Sequence, residues 1–119
     1  EPNVYLSGRN GGAVDVLTQR LGGEAVAWGS AVAGALVINA TSLGMAGESL
    51  PQTVLDMASG LIDLPYGDRE TPAVSRARTL GLALVDGHEF LLRQALASFA
   101  LWTGVSLGLE TVSARLRNT

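Results

Sequence analysis

Three short apolar runs, Ala35–Asn39, Gly60–Leu64 and Leu82–Val85, each open into a polar or glycine-containing loop and are separated by segments of helical period. Runs of this length that are continuously apolar up to a polar residue at or near the end, rather than alternating, suit strands buried on both faces, which is the habit of parallel sheets covered by helices. The rest of the chain fits the same plan. Val4 to Arg9 is β-prone and then turn-forming. Asn10 is an N-cap candidate for a helix carrying Val14, Leu17 and Leu21 on one face, stopped by Gly22-Gly23. Glu24 to Trp28 reads as a short strand, Thr41 to Ser49 as a loop, and Pro51 to Met57 as a short helix. Thr71-Pro72 starts a helix that turns Ala73, Ala77 and Leu80 inward and Arg76 and Arg78 outward. Helices over 88–102 and 109–117 complete the chain, with Phe99 and Trp102 expected in the core. The order β-α-β-β-α-β-α-β-α-α predicts an α/β fold: a Rossmann-like open, mostly parallel sheet with helices on both faces, in a single domain over 1–119.

Composition narrows the chemistry. All eight basic residues are arginine, against eleven acidic ones, for a net charge of -3. A negative chain lacks the footprint of a nucleic-acid binder, and it has no basic stripe for a membrane surface. With no lysine, it has no ammonium base and no Schiff-base former; with no cysteine and a single histidine, His88, it has no thiolate and no histidine metal cluster. Glu1-Pro2-Asn3 carries no basic leader. The apolar stretch Phe90 to Leu109 is interrupted by Arg93, Gln94, Gly104 and Gly108, which favours a buried helix over a membrane span.

In dinucleotide-binding folds, ligands lie beyond the carboxyl ends of the strands, and the polar residues here gather at such ends. Gly8-Arg9-Asn10 ends the first strand. An arginine there suits the 2′-phosphate of NADP and stacks on adenine, or it is a solvated turn residue. Asn39-Ala40-Thr41-Ser42 offers small side chains and hydroxyls to a flat ligand, or is an ordinary turn in which Asn39 satisfies backbone groups. Tyr66 either presents a phenol to a ligand or covers the edge of the core, and Asp63 reads as a turn cap rather than a base. Gly87 sits where a helix starts, a place that accepts anions and close ligand approach. Gln94 is polar on an otherwise apolar helix face and needs a partner, either a neighbouring loop or a polyhydroxylated ligand. Glu89 and Arg93 stand four apart, as a surface pair.

The strings INATSLGM at 38–45, DLPYGDRETP at 63–72 and DGHEFLLRQALASFALWTG at 86–104, in this order and spacing, resemble the C-terminal half of shikimate dehydrogenase, from about Val4 to Val105. The resemblance implies a cofactor domain for NADP-dependent interconversion of 3-dehydroshikimate and shikimate, in the cytoplasm. It implies that Gly8, Arg9 and Asn10 hold the adenosine phosphate of NADP, that Asn39, Ala40, Thr41 and Ser42 run beside the cofactor, and that Gly87 and Phe90 lie near the nicotinamide. Tyr66 and Gln94 would face the substrate. Ala13 stands where the family often has a second basic residue.

The resemblance also implies that a first strand with its glycine-rich turn, and an N-terminal domain with a lysine–aspartate pair, are not among these residues. No catalytic residue is then expected within 1–119. The sheet would be incomplete at its centre, with two strand edges free to pair elsewhere and a homo-oligomer as one result. The alternative is a non-catalytic metabolite- or nucleotide-sensing module built on the same fold.

Overall fold

The computed structural model describes residues 3–118, so the Glu1–Pro2 start lies outside the described residues. The elements follow the expected order: β1 (Tyr5–Leu6), α1 (Gly11–Leu21), β2 (Glu24–Ala25), β3 (Leu36–Asn39), α2 (Thr53–Asp56), β4 (Gly60–Asp63), α3 (Pro72–Thr79), β5 (Ala83–Val85), α4 (Gly87–Thr103) and α5 (Leu109–Arg117). Every strand pairing is parallel. Local chemistry explains the helix ends. The Asn10 side chain accepts from the Ala13 N–H at 3.1 Å, Thr71 accepts from Val74 at 3.2 Å, and Asp86 accepts from Glu89 at 2.9 Å. Gly104 closes α4 in a left-handed conformation, φ +71°. No helix among the described residues is long and apolar enough to cross a membrane.

The strands form two sheets, β1-β2 and β3-β4-β5, rather than one. The first strand is shorter than expected, two residues of the Val4–Arg9 segment. Leu6, Ser7 and Val26 on one side and Leu36, Val37 and Ile38 on the other line a cleft of about 360 Å³ between the sheets. β3 is therefore an edge strand of its sheet. Leu36 and Ile38 are exposed, which corrects the expectation of a strand buried on both faces; only β4, flanked by β3 and β5, is almost wholly buried. The core lies on the other face of the three-stranded sheet, where Leu61 packs with Leu55, Ala73 and Ala77, flanked by Val37 and Leu84.

The exposed surface, 8179 Å², exceeds the roughly 6,100 Å² typical of a compact protein of this mass. The radius of gyration, 16.2 Å, exceeds the about 13.5 Å expected for this length. Two further corrections follow from the same excess. Trp102 is 84% exposed and Phe99 38%, so neither belongs to the core: the outer face of α4 has little packed against it among the described residues. Leu80 caps α3 at its C-terminus and is exposed, while Ala73 and Ala77 are buried as expected.

Candidate functional site

Five loops leave the carboxyl ends of the parallel strands, and the predicted residues lie on them or on the helices they start. Arg9 follows β1 and precedes α1, an eleven-residue helix with no acidic residue in its first turn. Guanidinium and helix N-terminus together make this strand end favourable to an anion. Arg9 is exposed and makes no hydrogen bond among the described residues. Gly8 packs closely, since a Cβ there would stand 3.1 Å from Val14 Cγ2. Asn10 spends its side-chain oxygen on the α1 cap.

Across the cleft, the loop after β3 carries Ala40, Thr41 and Ser42; Ser7, Asn39, Ala40 and Thr41 share the cleft lining. Farther along this loop, Glu48 accepts from the N–H groups of Ala46 at 3.0 Å and Gly44 at 3.2 Å. Its carboxyl is held below the ordinary range first by backbone N–H groups, its own and those of Ala46 and Gly44, and to a smaller extent by the positive charge of Arg9. Sequence reading did not single out Glu48; a lone glutamate in a glycine-containing loop gives no signal of its partner.

Asn39 satisfies backbone groups of its own turn, one of the two uses expected of it, and also reaches Asp63. Its oxygen accepts from the Thr41 N–H at 3.1 Å and the Thr41 hydroxyl at 2.7 Å, and its amide donates to Asp63 at 2.7 Å and to the Leu43 carbonyl at 3.2 Å. Both hydrogens and both lone pairs are taken within the protein, so the side chain shapes the loop. Asp63 is wholly buried between Asn39 and Thr71, and it caps no turn.

The loop after β4 brings Pro65 and Tyr66 against the start of α4. Together with Asp86, Gly87 and His88 they line a second cleft of about 180 Å³. The Tyr66 and His88 rings meet edge to face, centroids 5.5 Å apart. Gly87 is buried with the carbonyls of Leu64 and Pro65 directly over it; a Cβ would lie 2.8 and 2.3 Å from those oxygens. Phe90 and Gln94, farther along α4, line neither of these two clefts. Gln94 is exposed, and its amide has no hydrogen bond among the described residues, so no neighbouring loop supplies the partner expected of it. Glu89 and Arg93 form the expected surface pair at 2.6 Å.

The chain is 36% identical over 114 residues to a protein of Oleidesulfovibrio alaskensis named shikimate dehydrogenase (NADP(+)), covering 88% of this chain and 41% of that one. It is 45% identical over 85 residues to one of the same name from Alkalilimnicola ehrlichii, covering 69% and 32%. Its fold superposes, with a TM-score of 0.82 at 25% identity, on shikimate 5-dehydrogenase of Thermus thermophilus solved with NADP(H) and shikimate, over 98% of this chain and 46% of that one. The chain belongs to the shikimate dehydrogenase family. It spans 41% of the length of the first of these relatives. A chorismate mutase/shikimate 5-dehydrogenase fusion protein of Clostridium acetobutylicum has the same fold, at TM-score 0.79 and 27% identity. No family model matches the chain.

Proposed function

We propose that the protein carrying these residues is an NADP-dependent shikimate dehydrogenase, and that residues 1–119 form one domain supplying the cofactor-binding wall of its active site. The observation that carries this reading is the placement of two polar strand ends beside one inter-sheet cleft: Arg9 follows β1 at the N-terminus of α1, and Ala40 and Thr41, after β3, line the cleft with Ser7. That arrangement suits an anionic, flat ligand lying over the strand ends. NADP fits the donor set: Arg9 for the 2′-phosphate and adenine, Gly8 and Asn10 beside it, and residues 40–42 along the chain of the cofactor.

When bound, NADPH would supply the hydride that reduces the ketone of 3-dehydroshikimate. The chain's own residues bind and orient. Gly87, buried under the Leu64 and Pro65 carbonyls, lets the loop after β4 pack onto the start of α4, which with Phe90 one turn on lies to the nicotinamide side on this reading. Tyr66 stands at the rim of the second cleft, where its phenol offers a hydrogen bond to a hydroxylated ring. Gln94 keeps an unspent amide for the same ligand. The proton transfer that accompanies reduction is assigned, on the family resemblance, to a lysine–aspartate pair elsewhere in the protein; this chain holds no lysine. On this reading the protein works in the cytoplasm, and the edges of β1 and β3 pair with further polypeptide, either the remainder of the protein or a second copy.

The test is NADP-dependent oxidation of shikimate, followed by NADPH absorbance, in the natural polypeptide that contains these residues and in the 119-residue chain alone. The expected result is turnover by the first and none by the second. Turnover by the chain alone would overturn the division of labour, and an inert natural polypeptide would overturn the activity itself.

A further inference from the structure

Between the two clefts lies a polar cluster centred on Asp63, with Asn39 at the lining of the first and Thr71 at the lining of the second. Asp63 is fully buried, and its partners are side chains from two distant segments: Asn39 donates to Oδ1, and the Thr71 hydroxyl donates to Oδ2. It has no cation and no backbone N–H as partner among the described residues. From Asp63 the bonds continue in both directions. On the β3 side, Asn39 fixes Thr41, whose hydroxyl oxygen accepts from the Leu43 N–H at 3.1 Å. On the α3 side, the Thr71 oxygen accepts from the Val74 N–H.

The two loops above this cluster also touch. A Cβ on Gly44 would stand 3.1 Å from Thr71 Cβ, and the Leu64 N–H donates to the Asn39 carbonyl at 3.1 Å. Every polar side-chain atom in this buried cluster is satisfied. A buried network in which every member is paired has few alternative arrangements, because any shift leaves an unpaired group out of reach of water.

We propose that Asp63 is a positioning residue that clamps the loop after β3 to the loop after β4 through Asn39 and Thr71, fixing the separation of the two clefts. The proposal rests on the reading above only for what those clefts bind, namely cofactor on the first and hydroxylated substrate on the second. A local role for Thr71, as the cap of α3 alone, makes a different prediction, and amide exchange separates the two.

In Thr71→Val the shape of the residue is kept and the hydroxyl is lost. The clamp predicts that exchange rises about fivefold or more at Val74 and also at Thr41 and Leu43, about thirty residues away in sequence, relative to Leu61 in β4. Thr71→Ser should restore all three. Thr41→Ala, at a half-buried position, tests the clamp from the other side and should raise exchange at Val74. A rise at Val74 alone in Thr71→Val, with no effect of Thr41→Ala on Val74, overturns the proposal. Equal acceleration at every amide including Leu61, in both variants, also overturns it, since that is a global loss of stability.

None of these measurements contains a ligand. A second arm adds NADP to the wild-type chain and to Thr71→Val. If NADP perturbs residues 40–42 in both, the Tyr66 resonances should follow only in the wild type, and a Tyr66 response unchanged in Thr71→Val counts against the clamp. If NADP perturbs nothing in the wild type, the cofactor reading fails while the exchange result stands by itself.

Discussion

Arg9→Ala is expected to weaken NADP binding about tenfold to a hundredfold while leaving NAD almost unchanged, because it removes a charge-assisted contact of roughly 1.5–3 kcal/mol to a phosphate that NAD lacks. Two features set where in that range the effect falls. Arg9 is exposed, so water and salt screen its charge, which favours the lower end at high ionic strength. It also stands beside the N-terminus of α1, whose positive end acts on an anion in the same sense, and the chain has no lysine to substitute. Ala13, one turn into α1, offers no second cation. NADPH fluorescence titration of the two chains, beside NADH, checks this; a loss that is equal for both cofactors would assign Arg9 to packing or to adenine stacking instead.

Gly87→Ala is expected to be the most damaging single-methyl change in the chain. The added carbon meets the Pro65 carbonyl oxygen at 2.3 Å and that of Leu64 at 2.8 Å, distances at which backbone must move. Neither carbonyl can yield cheaply: Pro65 has a fixed φ, and the Leu64 N–H is bonded to Asn39. The α4 N-terminus and the Tyr66 loop must therefore separate. The cost is about 3 kcal/mol, the upper end for overpacking, and should lower the thermal midpoint by about 10 °C. Gly11→Ala, whose Cβ meets nothing within 4 Å, is the control and should leave the midpoint nearly unchanged. Thermal unfolding by circular dichroism reads both; a Gly87→Ala midpoint equal to wild type would mean that the two loops are not held in contact.

The sequence made the local features of this molecule readable and left the non-local ones hidden. Asn10, Thr71-Pro72 and Asp86 marked helix starts because a cap is a bond between residues three apart, visible in the sequence itself. The order of strands and helices was readable for the same reason. The division of the sheet between β1 and β3 is the gap at its centre that the resemblance implied, while the half exposure of β3 that goes with it is not reported by an apolar run. Trp102 and Phe99 were misplaced because an aromatic residue on an apolar helix implies a partner without saying that the partner belongs to these residues. At the site, Arg9 and Gly87 were readable as strand-end residues, while the ligand roles proposed for them come from the family resemblance. The link from Asn39 through Asp63 to Thr71 escaped notice because its members lie 24 and 8 residues apart and meet only in the folded chain.

The measurement that bears most directly on the two-walled cleft is a backbone amide shift map of the 119-residue chain titrated with NADP and, separately, with NAD. The account predicts one contiguous set of shifted amides: residues 8–13 at the start of α1, 40–42 after β3 and 87–90 at the start of α4, with the first group responding to NADP more than to NAD. Shifts confined to the groove between α4 and α5 around Leu92 and Leu109, or no shift at all, would contradict it.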